Sequence, residues 1–357
     1  MAYYSVNTSA SLYVDMTAFN PLPKFIHLNL VLVLTGLLVS TAATDTSVAT
    51  ANGTTTYNRF FTATGAGTDD CIVATNSPGT DYRTGTDKSR LRLVAGIGSG
   101  LYIGSTSYMG FVWYRDKERV PFHFYNDGRA WLQMDKFGHA YTAYWESQLT
   151  YKALRWAGVD KRRALLWGGP AGFVFQAPIE ILDGMHEGYG FSWWDVVANG
   201  AGSILFTVQE AVFDEQVVLM KFSYSPSIYP RYHHKLGENH FDRFFMDYNG
   251  HTYWFSANLR SLTGIKAIPE WLQIAYGYSA NGMILEFDNP AEYRGEPFPH
   301  LDRYRQHLFS LDLDLSRIPA RKRWVRVLLQ TANTIKIPFP ALEFNRVDGV
   351  RVHPVYF

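Results

Sequence analysis

Cysteine is the scarcest residue in this chain, and its scarcity excludes two kinds of site. Cys71 is the single cysteine among 357 residues, so the chain cannot form an internal disulfide or a zinc site with several cysteines. Charged residues are also few, at 18%, against roughly a quarter in ordinary soluble domains. The net charge of +1 gives no electrostatic reason to expect a nucleic-acid partner.

Aromatic residues, by contrast, are abundant. They make up 16% of the chain, with 10 Trp, 23 Tyr and 24 Phe. Rings with one apolar and one polar end are favoured where a protein meets a membrane interface. An aromatic-rich core gives the same composition, so composition alone leaves both interpretations open.

The N-terminal region indicates export. Residues 26–43 read IHLNLVLVLTGLLVSTAA, an apolar run that follows Lys24 and ends in small residues, as a secretory signal peptide does. A membrane anchor is the alternative, although the run has only about the minimum length for spanning. Met16 is an alternative start that would leave a shorter, conventional leader. We expect residues 1–43 to be a signal peptide, without lipid attachment because no cysteine stands near the cleavage point.

The rest of the chain divides into three parts, and the expected fold class is α+β. Residues 44–90 are rich in Thr, Ser, Gly, Asn and Asp and predict a flexible polar tether. Residues 91–221 predict a four-helix, membrane-associated unit, whose first segment (91–114) fits one long helix or two Gly-rich strands. Residues 222–357 predict an antiparallel β region with an inserted basic helix, because residues 309–315 alternate between apolar and polar.

The first of three polar stripes lies on a helix that is expected to begin at a cap, Asp127, and to end at Gly158. Residues spaced four, three and four apart point to one side of an α-helix. That side carries Asp135, His139, Thr142 and Glu146. A carboxylate four residues before a histidine can accept the imidazole proton and set its tautomer. Lys136 is expected to point elsewhere and to pair with a carboxylate or reach a phosphate.

The second stripe follows the same spacing on a helix that begins at Asp160. Pro170 and Pro178 are expected to kink or break this helix. Its neighbours are apolar, and carboxylates are costly to bury there unless they are paired or protonated. The stripe consists of Gln176, Glu180, Asp183 and Glu187.

The third stripe lies on a helix expected from Ser192 to about Lys221, with Asp195 at the position of a capping acid. Asp195, Asn199 and Gly202 share one side, and the glycine allows a neighbouring helix to approach closely. Capping alone explains Asp195. It does not explain Asn199, which lies one turn deeper.

Together the stripes predict a cluster of acid/base groups in apolar surroundings. Converging carboxylates and one histidine push pKa values apart, as acid/base catalysis requires. The same groups suit a divalent cation held by oxygen ligands and an imidazole. A two-iron bundle site is not expected, because such bundles use two Glu-x-x-His pairs. Taken singly, each residue has a plainer explanation: a lone helical histidine is usually a satisfied core residue, and Glu146 or Glu187 can face water.

Weaker patterns lie in the C-terminal part. A loop cluster has residue types that bind metals: His233, His234, His240 and Asp242. A basic patch suits phospholipid head groups, although a solvated helix face explains it equally well: Arg317, Arg321, Lys322, Arg323 and Arg326. The closing HPVYF ends in Phe, as many outer-membrane barrel chains do, but too few strong strands are visible to predict a barrel.

Two segments carry a family resemblance. WLQMDKFGHAYTAY, followed by IEILDGMHEGYGFSWWDVVANGAG, resembles the YfiM-like family of predicted periplasmic lipoproteins of unknown function, most closely its longer Bacteroidetes-type versions. The resemblance covers about residues 90–357, and its signatures DKxGH and DxxxNxxG also resemble those of VanZ-like membrane proteins. It implies an envelope protein with a membrane-associated four-helix core. The implied site residues are Asp135, Lys136, His139, Glu180, Asp183, Asp195 and Asn199. The chain departs from the lipoprotein pattern because no lipidation cysteine follows its leader.

These observations support three hypotheses for an exported protein on the periplasmic side of the envelope, associated with the outer membrane. The first is an enzyme that hydrolyses or exchanges phospholipid head groups. His139 is then base or nucleophile, oriented by Asp135 or another acid, while Lys136 and Asn199 steady the phosphate. The remaining acids bind a divalent cation, the candidate cofactor, or tune the histidine: Glu180, Asp183 and Asp195.

The runner-up is a non-enzymatic structural or assembly component of the outer membrane, whose buried polar network fixes helix packing. A metal- or ligand-binding envelope module is the third hypothesis. In each case the expected partner is membrane lipid or another envelope component.

Overall fold

Five helices form the first part of the chain that the computed structural model describes, which comprises residues 85–115, 117–293 and 296–357. The predicted signal peptide (1–43) and nearly all of the predicted tether (44–90) lie outside these ranges. The helices are α1 (Lys88–Tyr108), which continues into a π-helical turn (Met109–Trp113), α2 (Met134–Trp156), α3 (Lys161–Gly168), α4 (Ala171–Asp183) and α5 (Trp193–Phe213). The helical prediction for 91–114 is confirmed, and the alternative of two strands is wrong.

Side-chain caps explain where several of these helices begin. Asp87, Asp160 and Ser192 precede α1, α3 and α5, and each accepts a hydrogen bond from a backbone N–H of the first turn. Asp127, expected to be a cap, is not one. A 3-10 turn (Ala130–Gln133) separates it from α2, whose N-cap residue is Gln133.

Two other helix boundaries differ from those expected. The second helix is broken near Pro170 into α3 and α4, and α4 ends at Asp183, so Glu187 lies beyond the helix with its side chain exposed. The third helix does not reach Lys221, because α5 ends at Phe213 and Asp214 turns the chain with a left-handed φ of 58°. Lys221 belongs to a strand.

The second part of the described chain is an antiparallel sheet with short helices in its connections. Six strands pair in the order β1-β2-β3-β6-β7-β8. They are β1 (Val218–Tyr224), β2 (His251–Asn258), β3 (Leu272–Asn281), β6 (Tyr304–Leu313), β7 (Phe339–Asn345) and β8 (Gly349–Tyr356), with a separate pair formed by β4 (Glu292–Tyr293) and β5 (Glu296–Pro297). The connecting helices are α6 (His240–Met246), α7 (Leu259–Thr263) and α8 (Arg323–Ala332). The α+β fold class and the inserted basic helix are confirmed.

Helix α2 lies at the centre of the molecule, between the other helices and the sheet. Its Phe137 stacks on the ring of Tyr253 in β2, and its Tyr141 packs at a tilt against the ring of Phe222 in β1. On its other sides α2 packs against α3, α4 and α5. Among the described residues, α5 is the one helix long and apolar enough to cross a membrane, and a third of its apolar window is buried.

Two glycines allow α4 and α5 to approach α2 at backbone distance. A Cβ atom on Gly202 would lie 2.0 Å from the carbonyl oxygen of Ala140, and one on Gly172 would lie 2.1 Å from that of Ala143. The expected close approach at Gly202 is therefore confirmed. Because the helices touch through their backbones, the polar side chains on their inner sides are brought within hydrogen-bonding range of one another.

We predict that Gly202→Ala lowers the free energy of unfolding by about 1–3 kcal/mol or more, because the added methyl group forces α5 away from α2. Gly200→Ala is the matched control on the same helix, since its Cβ would come no closer than 3.9 Å to Phe173. Alanine is the better helix former, so this control should be neutral or stabilising by up to about 1 kcal/mol. Denaturant unfolding of the detergent-purified protein measures both. Equal stability of the two variants would contradict close helix contact at Gly202.

Candidate functional site

The amine of Lys136 lies at the centre of a cluster of carboxylates near the N-terminal ends of α2 and α5. Its Nζ atom is 2.6 Å from Asp127, 2.9 Å from Asp135 and 2.6 Å from Asp195. Only 7–16% of each of these four side chains is exposed. The prediction that Lys136 points away from the stripe is therefore wrong. Its amine joins three separate chain segments into one cluster.

The Ser192 cap of α5 fixes the position of Asp195. The Ser192 hydroxyl accepts a hydrogen bond from the backbone N–H of Asp195 and donates one to the carboxylate of Asp127. The side chain of Asp195 thus turns towards Lys136 while its backbone completes the cap. Asp195 therefore belongs both to the cap of α5 and to the cluster around Lys136.

A strained turn leads into the cluster from the α2 side. Trp131, Leu132 and Gln133 have φ values of 47°, 50° and 70°, in the left-handed region that costs non-glycine residues roughly 1–2 kcal/mol each. Contacts with the second half of the chain stabilise this turn. Arg305 donates to the side-chain oxygen of Gln133 at 2.6 Å, and Tyr278 donates to the carbonyl of Leu132. Strain of this kind is concentrated at functional sites.

His139 lies one turn deeper than Asp135 and is almost completely buried. Its Nδ1 atom is 3.0 Å from the side-chain oxygen of Asn199, which accepts the hydrogen bond, so the proton is assigned to Nδ1 and Nε2 is the basic nitrogen. Nε2 is 3.5 Å from a carboxylate oxygen of Asp195. A carboxylate oxygen of Glu180 is 3.8 Å from Nδ1.

One ligand atom from each of Asp135, His139 and Asp195 lies within 4.8 Å of the other two. This is the one group of three such residues, among those that the structure describes, with atoms positioned to share a metal ion. The loop cluster proposed from the sequence does not form a second group: Asp242 binds the side chain of Asn239 in the cap of α6. Two carboxylates and an imidazole match the ligand types of divalent cations.

Burial and charge shift the pKa values of the cluster in opposite directions. Burial alone would raise the pKa of Asp135, but the charges of Lys136 and His139 outweigh it and bring this pKa below its usual range. Burial, followed by repulsion from Asp135, raises the pKa of Asp195 to about 9. Burial alone would lower the pKa of Lys136, yet the surrounding carboxylates raise it above its ordinary value. Two neighbouring acids with divergent pKa values are the pattern that acid/base chemistry uses.

A second polar layer lies deeper between the helices. The amide of Gln176 donates to the backbone carbonyl of His139 at 3.2 Å. Glu146 and Glu180 are each 1% exposed, and burial raises the pKa of Glu146 well above its usual range. Most of the predicted stripe on α4 is thus directed inwards.

The structure brings most of the predicted site residues together. Five are in direct contact within the cluster, namely Asp135, Lys136, His139, Asp195 and Asn199, with Glu180 beside the imidazole. Asp183 has a different partner, the hydroxyl of Tyr114, which donates to it in a short hydrogen bond.

Sequence reasoning assigned Asp127 another role and missed Tyr248. Tyr248 donates to Asp135 at 3.0 Å from a turn between α6 and β2. Because Tyr248 is 113 residues from Asp135 in the chain, no local sequence pattern indicates this contact. Asp127 is an acid close to the stripe, which could have indicated the cluster, but its place before the helix also predicts a cap.

Residues 123–210 match the model of a family described as predicted periplasmic lipoprotein (DUF2279). The matched segment contains every member of the cluster except Tyr248. The function of this family is unknown, and the match supports an exported, periplasmic location. No curated protein and no solved structure matches the chain. The relation to VanZ-like proteins and attachment to the outer membrane remain predictions.

We predict that Lys136→Met lowers the free energy of unfolding at neutral pH by about 3–5 kcal/mol, because the poorly hydrated acidic groups around Lys136 lose their shared cation. The loss should shrink as the pH falls below about 4. The stability that comes from the lowered pKa of Asp135 is present above the ordinary aspartate pKa and disappears below it in the wild type as well.

Lys161→Met is the matched control for this prediction, because the ion pair between Lys161 and Asp214 is at the surface. Its effect should be within about 0.5 kcal/mol. Denaturant unfolding at several pH values measures both variants. A Lys136→Met variant as stable as the control would show that the cluster does not depend on this amine.

Proposed function

We propose that this protein is a membrane-associated enzyme of the periplasm that hydrolyses or exchanges phosphoester head groups of lipids. The observation that carries the proposal is the convergence of Asp135, His139 and Asp195 within 4.8 Å, in a cluster that is mostly buried but has an exposed edge. Acid/base groups held together in this way suit the transfer of protons to and from a reacting ester.

His139 is the general base in this proposal. Asn199 holds the proton on Nδ1 and is therefore a positioning residue. In the hydrolytic step, Nε2 accepts a proton from water as the water oxygen bonds to phosphorus and the ester P–O bond breaks. The leaving alcohol then takes a proton, for which Asp195 is the donor, since burial keeps it protonated near neutral pH. In head-group exchange a second alcohol replaces the water.

In this proposal Lys136 does not steady the phosphate, which was the role expected from the sequence. Its amine already has three carboxylate partners, so its charge stabilises the cluster more than it attracts a phosphate. Even with Asp195 protonated, the carboxylates of Asp127 and Asp135 outnumber the one amine and leave excess negative charge. A divalent cation bound by Asp135 and its neighbours would offset that charge and supply the attraction for a phosphoester. Assays with a chelator and with added divalent cations test whether the reaction requires such a cation.

Exposed aromatic rings beside the cluster support the assignment to a lipid substrate. Phe124 and Trp193 stack in parallel and are 62% and 61% exposed. Trp194, also exposed, donates to the side chain of Asn126 next to Asp127. Large rings at the surface are typical of proteins that meet a membrane interface. Here they adjoin the edge of the cluster that reaches solvent.

The second candidate function is structural. It is favoured because the polar groups of the cluster pair with one another. The positive charge of Lys136 is surrounded by acidic side chains from two helices and the preceding loop, and His139 is hydrogen-bonded to Asn199. A network of this kind fixes one packing arrangement of helices whether or not any chemistry occurs.

We predict that His139→Ala lowers phospholipid turnover by roughly 10²- to 10⁴-fold, because it removes the general base. Purified full-length protein is incubated in mixed micelles with phospholipids of different head groups, and released phosphorylated head group is measured by phosphorus NMR. Each assay is run with a chelator and with added Mg²⁺, Mn²⁺ or Zn²⁺. His300→Ala is the matched control, because the His300 side chain is 91% exposed, and it should retain full activity.

Thermal unfolding of the same variants separates the two candidates. The enzymatic function requires lost turnover in a His139→Ala protein that remains folded. The structural function instead requires a lowered unfolding midpoint and no turnover in the wild type with any head group or cation. Equal turnover by His139→Ala and wild type would rule out the proposed base.

A further inference from the structure

The six-stranded sheet has polar residues on its buried side. Lys221, Asp312, Lys336 and Glu343 are all 0% exposed. The Lys221 amine lies 2.9 Å from Asp312, and Glu343 accepts from Gln306 at 2.7 Å and pairs with His353 at 2.6 Å. These contacts satisfy the charges of Lys221, Asp312 and Glu343, so the buried polar groups are a built feature of the sheet.

The opposite side of the same strands is apolar and largely exposed. Strand pairing aligns Ile274 with Leu311, Phe309 with Leu342, and Leu342 with Val352. These side chains are 44–71% exposed. Further along the same side, three more apolar residues are exposed: Phe344, Val350 and Val355.

The exposed apolar side is the reverse of that in a soluble sheet, while the buried side combines the polar groups with an apolar cluster of Trp254, Ala275, Leu308 and Ala341. Soluble antiparallel sheets turn their apolar side to the core and their polar side to water, whereas strands in membranes alternate apolar outside with polar inside. Helix α2 covers the outer side over β1 and β2, where Phe137 stacks on Tyr253 and Tyr141 packs at a tilt against Phe222. Over β6, β7 and β8 the same apolar side has no such cover from the described part of the chain.

The charges of helix α8 indicate what lies against the uncovered side. This helix connects β6 to β7, and Asn333 at its C-terminal end donates to Asp314, just beyond β6, at 2.9 Å, which places the helix at that end of the strands. Trp324 and Leu328, one turn apart, are 64% and 56% exposed. Exposed basic residues accompany them: Arg321, Lys322 and Arg323. Arg317, grouped with these from the sequence, instead pairs with Glu215 and Asp314. A basic amphipathic helix complements the anionic head groups of a lipid leaflet.

We propose that the outer side of β6, β7 and β8 is in contact with the hydrocarbon of a lipid bilayer, and that α8 lies at its rim against anionic head groups. The apolar side then meets lipid tails, and the basic rim meets the lipid phosphates. The inference is independent of the chemistry at the Lys136 cluster, since it concerns a different part of the molecule and needs no catalytic activity.

Fluorescence quenching in reconstituted vesicles tests contact with hydrocarbon. In a Cys71→Ser background, Leu311→Cys and Leu342→Cys are each labelled with an environment-sensitive fluorophore. The full chain is then inserted into phosphatidylcholine/phosphatidylglycerol vesicles that carry spin labels on the acyl chains. We expect blue-shifted emission and strong quenching at both positions. Lys235→Cys, at an exposed basic site in a loop, is the control and should show neither.

The two readouts together distinguish the occupants of this surface. Blue-shifted emission without quenching would mean that a second copy of the chain or another protein covers the strands. Emission typical of water would mean that they face solvent. Either result would overturn the proposal. Cysteine at an exposed position leaves the polar interior intact, and circular dichroism of each labelled protein establishes that it is folded.

Vesicle flotation tests the basic rim. Wild-type protein should associate more with vesicles containing phosphatidylglycerol than with pure phosphatidylcholine vesicles. Arg321→Gln, Lys322→Gln and Arg323→Gln combined should remove at least half of that preference. The control triple variant is Arg92→Gln, Arg162→Gln and Lys235→Gln, which removes the same charge from exposed positions elsewhere and should retain it. Equal preference in both triple variants would overturn the role of α8.

Discussion

A lysine amine surrounded by carboxylates and nearly removed from water organises the helical part of this protein. A charge in such a position is unfavourable unless opposite charges compensate it at short range. Lys136 obtains that compensation from the loop before α2, from α2 itself and from the first turn of α5. Gly202 allows α5 to lie against the backbone of α2, which brings Asp195 close to this amine. Electrostatics and close packing therefore impose the same arrangement of helices.

Both halves of the molecule bury polar groups beside their apolar cores and expose apolar side chains. In the helical half, His139, Glu146 and Glu180 are buried while the outward residues of α5 are apolar and exposed. In the sheet, Asp312 and Glu343 are buried while the residues that alternate with them are apolar. A protein surrounded only by water gains free energy from the reverse arrangement. The shared pattern gives the proposed site and the proposed lipid-facing surface a common physical basis.

Periodicity predicted much of the fold and of the candidate site. The spacing of Asp135 and His139 identified one side of α2, and Asn199 was recognised because capping did not explain it. The alternation around Phe309 identified a strand, although not which side would be buried, because a period of two does not say what lies on either side. Helix ends were less predictable. The left-handed turn before α2 depends on hydrogen bonds from Arg305 and Tyr278, which no local pattern reveals.

The sequence by itself determined which residues share a helix side, because 3.6 residues per turn leave little choice, and it indicated a polar cluster in apolar surroundings. Only the tertiary structure decided that Asp127 and Tyr248 join this cluster, that Asp183 binds Tyr114 instead, and that Lys136 lies at the centre. Those outcomes depend on how separate elements meet in space. Compensation of a buried charge is a property of all its neighbours together. For Lys136 these neighbours include Asp195, which is 59 residues away in the chain.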